Sequence, residues 1–353
     1  MKEPTVASPK KVTWHKEKVM AFCHGEPIYP ATLELDLTSQ CTRVCENCPS
    51  SRSRFHSNLE RGFVDRLLGV LGGHTRGLLL TGGEPTMSEL FPWTLSEARR
   101  RGFEEIAVVT NGSLLHQERV YQALLRDATT IRISLYDWAD TTCTAALPTL
   151  RKIEELRKRI DDTTSDLKIG VSLLTSADRS QRLIHIAETV RDAGAHWIYF
   201  HPVCLGWGKG VPVQVSQNNV IPVLHAWRQS LENGFQAYWA EERYKHTSLN
   251  FDAYHGAHFL LIIGADGLNY LGAEVKYQPD FILADLAGDW SENFLWHPER
   301  LARIASVTSE NYAALGSRHR GALYSHVLDA LMKDPHNDEA FKSSGEYLFP
   351  HVL

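Results

Sequence analysis

At 353 residues, 43% apolar and 22% charged, the chain has an ordinary globular composition and is long enough for one large domain and a smaller one. A net charge of −5 argues against a nucleic-acid binder, which carries a basic surface. Met1 to Lys18 has no signal-peptide core, and the longest apolar stretch, Phe259 to Gly264, is too short to span a bilayer. A cytoplasmic location with reduced thiols and no membrane partner is expected.

Residues 1–11 read as a polar tail and Val12 to Phe22 as a short helix. From Ala31 the sequence alternates, with Leu33, Leu35 and Leu37 on one face and Glu34, Asp36 and Thr38 on the other, the period of a strand. A cysteine-bearing loop and a polar Ser/Arg stretch, Ser50 to Ser57, follow. A helix is predicted over Gly62 to Leu71, stopped by Gly72 and Gly73.

Then the pattern repeats. Strands are predicted at Leu78–Thr81, Glu105–Thr110, Thr130–Tyr136, Leu167–Thr175 and His196–His201. Helices are predicted between them at 87–101, Gln117–Arg126, 147–161 and 180–193. Six strands alternating with helices imply right-handed crossovers and a parallel sheet, with chemistry gathered at the C-terminal strand ends. After a loop at Gly206–Pro212 comes a helix at Val220–Glu232. Phe259 to Leu271 then reads as a hairpin turning at Gly264–Gly267. Helices at Pro298–Ile304 and Arg320–Met332 finish the chain. The predicted fold is α/β: a partial (β/α)6 TIM-like barrel with a smaller C-terminal α+β domain. The expected divisions are a tail and short helix at 1–30, a barrel at 31–240 and an α+β extension at 241–353.

Half of the six cysteines sit within eight residues: Cys41, Cys45 and Cys48, spaced C-x3-C-x2-C just after the first strand. In a reducing compartment such crowding points to a metal or redox site. Structural zinc takes four ligands, and no fourth cysteine lies at matching spacing. Three thiolates can hold three irons of a [4Fe–4S] cube and leave one open. Coincidental buried thiols are the bland alternative.

Several features occur in the order in which the radical SAM superfamily carries them. The cysteine motif follows the first strand, and Gly82-Gly83-Glu84-Pro85 follows the second. Thr110, Asn111 and Gly112 end the third, and Ser134 lies on the fourth. The chain resembles that superfamily over roughly residues 31–235. The resemblance implies that Cys41, Cys45 and Cys48 ligate one [4Fe–4S] cluster whose open iron chelates S-adenosylmethionine (SAM). It implies a flavodoxin- or ferredoxin-type electron donor, reductive cleavage of SAM and a 5′-deoxyadenosyl radical that abstracts hydrogen from substrate. Gly82 and Gly83, with Pro85, would let backbone approach the methionyl group. Glu84 or nearby carbonyls would accept its ammonium, Ser134 would meet the ribose, and Asn111 and Ser172 would line the pocket. Asn47 stands where the family has an aromatic residue, and Tyr136 where a Ser-x-Asp pattern has its acid. Without the cysteines, Gly-Gly-Glu-Pro would be any strand-to-helix turn.

Glu34/Asp36 and Arg132/Ser134 alternate with aliphatic residues and so point into the barrel. They either contact substrate or cofactor or form internal salt bridges. Arg132 offers a planar fork to a substrate anion. Cys204 is a candidate hydrogen donor to a substrate radical, as in epimerases of this family, or a small buried residue. Cys23 and Cys143 have less to recommend them. His201 is either polar lining or a strand-end histidine. The C-terminal part resembles a SPASM or twitch extension without cysteines, since none follows Cys204. Its Ser317–Gly321 run, with Arg318, His319 and Arg320, faces substrate anions or is an exposed basic turn.

These readings favour a radical SAM enzyme acting on a small polar substrate (sugar, aminosugar or nucleoside), with a redox-neutral outcome such as epimerisation, dehydration, rearrangement or decarboxylation. The alternatives are a peptide-modifying maturase, for whose leader-binding domain the residues before the first strand leave little room, and a non-catalytic iron–sulfur sensor.

Overall fold

Alternating βα units fold as their periodicity dictates. The computed structural model describes residues 8–45, 48, 56–136, 146–176, 182–205, 214–215, 220–231, 234–245, 248–288, 290–335, 337, 341 and 347–353. Asn47, Cys143, the Gly206–Pro212 loop and most of the Ser50–Ser57 stretch therefore lie outside the described residues. Strands β1 (Thr32–Asp36), β2 (Gly77–Thr81), β3 (Glu105–Thr110), β4 (Thr130–Ser134), β5 (Lys168–Thr175) and β6 (Trp197–Pro202) pair in parallel and in chain order.

The helices beside them are α2 (Arg61–Leu71), α3 (Phe91–Arg100), α4 (Glu118–Asp127), α5 (Leu147–Asp161) and α6 (Leu183–Asp192). An earlier helix, α1 (Lys16–Cys23), is preceded by a 3-10 turn at Pro9–Trp14 instead of forming one helix from Val12. Leu33 and Leu35 of β1, Leu78 and Leu80 of β2, and Ile131 and Ile133 of β4 are fully buried in one cluster with Leu67 and Leu68 of α2 and Leu124 of α4. Burying apolar side chains at about 25 cal/mol per Å² is what holds helices onto the sheet. Their alternate neighbours, including Glu34, Leu79, Ala107, Val109, Arg132 and Ser134, face a central cavity instead.

The sheet extends past the six expected strands. After α7 (Ile221–Gln229), strand β9 (Gln236–Trp239) adds in parallel beside β6. The expected hairpin forms as β10 (Leu260–Ile263) and β11 (Leu268–Tyr270), but β10 also pairs in parallel with β1. Strand β12 (Ile282–Asp285) follows antiparallel to β11. Among the described residues one ten-stranded sheet runs β12-β11-β10-β1-β2-β3-β4-β5-β6-β9, crossing the division expected near residue 240. Two short strands, β7 (Cys204–Leu205) and β8 (Gln214–Val215), pair separately. The chain then adds α8 (Gly256–Phe259), α9 (Pro298–Ser306) and α10 (Arg320–Lys333).

The bottom of the barrel is stoppered by residues 349–353. Thr32 Oγ1 donates to His351 O at 2.6 Å, and Leu353 N donates back to Thr32 Oγ1 at 2.9 Å. Glu105 Oε2 accepts His351 N and Val352 N at 2.7 and 3.0 Å. A side chain at Gly77 would meet His351 O at 1.9 Å, so β2 must start with glycine for this segment to pass. Lys11, read as part of a loose tail, is buried and donates to Val352 O at 2.6 Å. No helix among the described residues is long and apolar enough to cross a membrane.

Candidate active site

The cysteine loop is pinned at its base. Leu59 N donates to Leu37 O at 3.0 Å and Ser39 N to Ser57 O at 2.9 Å, so residues 37–39 and 57–59 run side by side. The turn after β2 is fastened to the same segment, with Gly83 N donating to Thr38 O at 2.9 Å and Glu84 N to Gln40 O at 2.7 Å. A side chain at Gly83 would stand 2.0 Å from Gln40 O, and one at Gly82, whose φ is +117°, 2.6 Å from Thr38 O. The glycines are thus required for backbone to approach backbone, locking the turn onto the chain that enters the cysteine loop.

Glu84 ties the turn to its neighbours. It is fully buried; its Oε1 accepts Thr86 N (3.2 Å), Thr86 Oγ1 (2.5 Å) and Thr110 Oγ1 (2.6 Å), and its Oε2 accepts Asn111 N (2.7 Å). One carboxylate therefore caps the turn that Pro85 begins and ties it to the end of β3. Neither Glu84 nor Pro85 lines the cavity, whereas Gly82, Gly83 and Asn111 do.

Cys41, Cys45 and Cys48 line the same cavity, of about 620 Å³ as bounded by the described residues. None of the described cysteines is in a disulfide. Asn111 Nδ2 donates to Cys41 Sγ at 3.4 Å and to Thr42 Oγ1 at 3.0 Å, and Arg43 N donates to Cys41 Sγ at 3.4 Å. N–H groups aimed at a ligand sulfur tune the potential of an iron–sulfur cluster. Among the described residues no group of three His, Cys, Asp or Glu side chains is arranged to hold a single metal ion. The three thiolates of one loop can each bind a different iron of a cube. The donor set fits a [4Fe–4S] cluster.

Ser134 lines the cavity and is hydrogen-bonded to Tyr136. Ser172, its register partner on β5, is buried but outside the lining. Tyr136 meets His201 edge-on at 6.3 Å between ring centroids, and His201 stacks on Tyr199 at 5.5 Å. Burial, then Arg243 and Arg132, push the His201 imidazole well below its usual range, so it stays neutral. Cys204 is buried on the cavity wall, with Sγ 3.9 Å from the carbonyls of Pro202 and Ser317 and 3.6 Å from Arg243 Nη2. Burial raises the pKa of its thiol, which keeps the S–H bond.

For Glu34 and Asp36 the structure selects the internal salt bridge. Lys276 Nζ reaches Glu34 Oε1 at 3.0 Å, Asp36 Oδ1 at 2.8 Å and Thr81 Oγ1 at 3.2 Å. Tyr277 OH donates to Asp36 Oδ2 at 2.8 Å, and Arg320 Nη2 pairs with Glu34 Oε2. Burial works to raise the Glu34 carboxyl, but Lys276 and Arg320 more than offset it and hold it at about 2.

Lys276, Glu274, His319, Arg320, Tyr199 and Arg243 are cavity residues that the sequence did not single out as site residues. The Ser317–Gly321 run was the available signal for two of them: His319 and Arg320 face the cavity, while Arg318 turns to Glu242 O.

No family model matches the chain. It is 37% identical over 140 residues to GTP 3′,8-cyclase of Synechococcus sp. (strain CC9902), covering 36% of this chain and 37% of that protein. It is 28% identical over 196 residues to a probable GTP 3′,8-cyclase of Metallosphaera sedula (strain ATCC 51363 / DSM 5348 / JCM 9185 / NBRC 15509 / TH2), covering 52% of this chain and 59% of that one. The chain thus spans from about a third to three fifths of these curated relatives. Among solved structures, Streptococcus suis SuiB bound to S-adenosylmethionine shares the fold at TM-score 0.63 and 12% identity, over 83% of this chain and 72% of SuiB. The protein anSMEcpe with bound AdoMet does so at TM-score 0.54 and 13% identity, over 91% of this chain and all of that one. Radical SAM proteins carry a [4Fe–4S] cluster and S-adenosylmethionine, and the three cysteines with the glycine turn docked onto their loop are a donor set that fits such a pair. The chain is thus similar in sequence to GTP 3′,8-cyclases over part of its length and shares the fold of the S-adenosylmethionine-bound proteins over most of it.

Proposed function

We propose that this chain is a radical SAM enzyme that abstracts a hydrogen atom from a small polar substrate. The observation that carries this reading is the convergence of Cys41, Cys45 and Cys48 with Gly82, Gly83 and Asn111 on one cavity. Cys41, Cys45 and Cys48 would hold the cluster; the backbone at Gly82 and Gly83, with Asn111 and Ser134, would border S-adenosylmethionine. When bound, the pair supplies a 5′-deoxyadenosyl radical. The residues of this chain position substrate and exclude water, the floor being closed by residues 349–353.

A cavity of about 620 Å³ is of single small-molecule size and would hold SAM as well, which favours a compact co-substrate over a peptide. The partial similarity to proteins named GTP 3′,8-cyclase supports a nucleoside or nucleotide within the polar class. With no cysteine after Cys204 in these 353 residues, no auxiliary cluster is at hand to accept a substrate electron, so a redox-neutral reaction is favoured. Cys204 would be positioned to return a hydrogen atom to a substrate radical; its thiyl would then need one electron and one proton from the flavodoxin- or ferredoxin-type donor. Reduced, closely spaced thiols fit a cytoplasmic setting.

The test is anaerobic reconstitution with iron and sulfide, then SAM and dithionite. Brown protein that releases 5′-deoxyadenosine, and loses this with Cys41→Ala, is expected. Brown protein that releases none would sink the enzymatic reading and favour a sensor; colourless protein that binds zinc would sink the cluster itself.

A further inference from the structure

We propose that Arg132 and Arg243 form an oxyanion subsite in the cavity, so that the substrate carries a carboxylate or phosphate group. Its use in catalysis rests on the radical reading above; its binding chemistry does not.

The interior acids are already satisfied. Glu34 and Asp36 are closed by Lys276 and Arg320. Glu274 has His319 Nδ1 at 2.9 Å and accepts the hydroxyls of Tyr254 and Tyr312 at 2.7 and 2.6 Å. Glu105 accepts two backbone N–H groups. Arg132 and Arg243, two guanidinium groups on the cavity wall, have no ion-paired carboxylate among the described residues. Arg132 has no hydrogen bond or ion pair there; its guanidinium carbon stands 6.0 Å from the Tyr199 ring centroid, and its Nε is enclosed with no acceptor. What surface Arg132 shows, it shows to the cavity. Arg243 is buried against two neutral partners, Cys204 Sγ and the Tyr199 side chain, and its Nε also lacks an acceptor.

Tyr199 therefore neighbours both guanidinium groups. An unpaired buried charge is costly, and two near one another are worse, unless a ligand anion joins them. Planar guanidinium forks match the paired oxygens of carboxylate and phosphate. The neutral imidazole of His201, stacked on Tyr199, adds a hydrogen-bonding group without further charge.

The position separates this subsite from the cluster mouth. Arg132 lies one inward-facing position below Ser134 on β4, roughly 7 Å deeper for two residues of strand. Arg243 follows β9 at the far end of the parallel run. An anion held there would fix the substrate beneath the radical source and leave its other end directed at the mouth.

The test uses the reconstituted full chain, saturated with SAM, and isothermal titration with inorganic pyrophosphate and with succinate as separate probes. One probe is expected to bind at one site per chain, at least tenfold more weakly in Arg132→Gln and in Arg243→Gln, with part of the loss recovered in Arg132→Lys. Preference for pyrophosphate assigns a phosphorylated substrate; preference for succinate assigns a carboxylate. The proposal is overturned if neither probe binds, or if both glutamine variants bind as wild type does. It is also overturned if SAM affinity, measured in the same variants, falls in parallel, because the arginines would then hold the carboxylate of SAM. Arg132→Met gives an independent readout. Removing an unpaired buried cation should leave Tm at or above wild type, whereas a clear fall in Tm would make Arg132 a structural residue and sink the proposal. Anion binding that survives in protein yielding no 5′-deoxyadenosine would leave the subsite standing and remove only the radical reading.

Discussion

Strands β1 and β4 place charged residues into one barrel by the same alternation, yet the two sets end in opposite states. Glu34 and Asp36 on β1 are closed by Lys276, Arg320, Thr81 and Tyr277 into a network with little left to offer a ligand. Among the described residues, Arg132 on β4 meets the aromatic face of Tyr199 and has no ion-paired carboxylate. Pairing turned the first set into structure; its lack leaves the second open to chemistry. The deciding partners come from residues 276–320, more than a hundred residues away.

Breaking the β1 network should have the largest effect. Lys276→Met leaves two acids buried beside one remaining cation and should cost about 3–5 kcal/mol in urea unfolding. Its pH response should also change. In wild type, Glu34 is held at about 2, below its unfolded value, so its contribution is complete above about pH 4.5 and is lost as pH falls toward 2. Without Lys276, burial should raise Glu34 and reverse the sign of its contribution, so the variant should lose less stability on acidification than wild type. A parallel pH profile for the two proteins would contradict the network.

The acid limit of the wild-type chain should instead come from buried histidines. Burial holds His15 and His258 at about 3 and His196 at about 4. Above about pH 6.5 these are neutral in both states. Below it the unfolded chain takes up protons that the folded chain refuses, so stability falls from pH 6.5 toward 3. His15 and His258 should each contribute roughly 2 kcal/mol of loss at pH 5. His15→Phe should flatten that slope in a pH series of urea melts; an unchanged slope would remove His15 from the account.

Tyr277→Phe removes one hydroxyl from Asp36 and should cost on the order of 1 kcal/mol, because Lys276 and Thr81 remain. A loss as large as that of Lys276→Met would mean that the hydroxyl, and not the ammonium, holds the network. Arg132→Met should have the smallest effect on stability, near zero or slightly favourable, while abolishing substrate-anion binding. Equal stability losses for Lys276→Met and Arg132→Met would erase the contrast between the two strands.

Much of the barrel was legible because its signals are local. Strand β3 and helix α5 have the bounds that their periodicity predicts, and the other core elements differ by a few residues. The cysteine spacing and the glycine turn are likewise contiguous motifs. Less visible was β9, four residues long and placed directly after a helix. At Gly82 to Pro85 the sequence marks a special turn without saying which backbone it must approach. The structure gives the close approach to Thr38 and Gln40.

By itself, then, the sequence determined the alternation that builds the partial barrel and the three thiols at its mouth, because side-chain period and loop spacing are properties of adjacent residues. Tertiary structure alone decided that β10 would lie beside β1, that the acids of β1 would be neutralised and that Arg132 and Arg243 would meet no ion-paired carboxylate among the described residues. The reason is physical: a buried charge takes its character from the partner beside it, and here the partners arrive from distant parts of the chain.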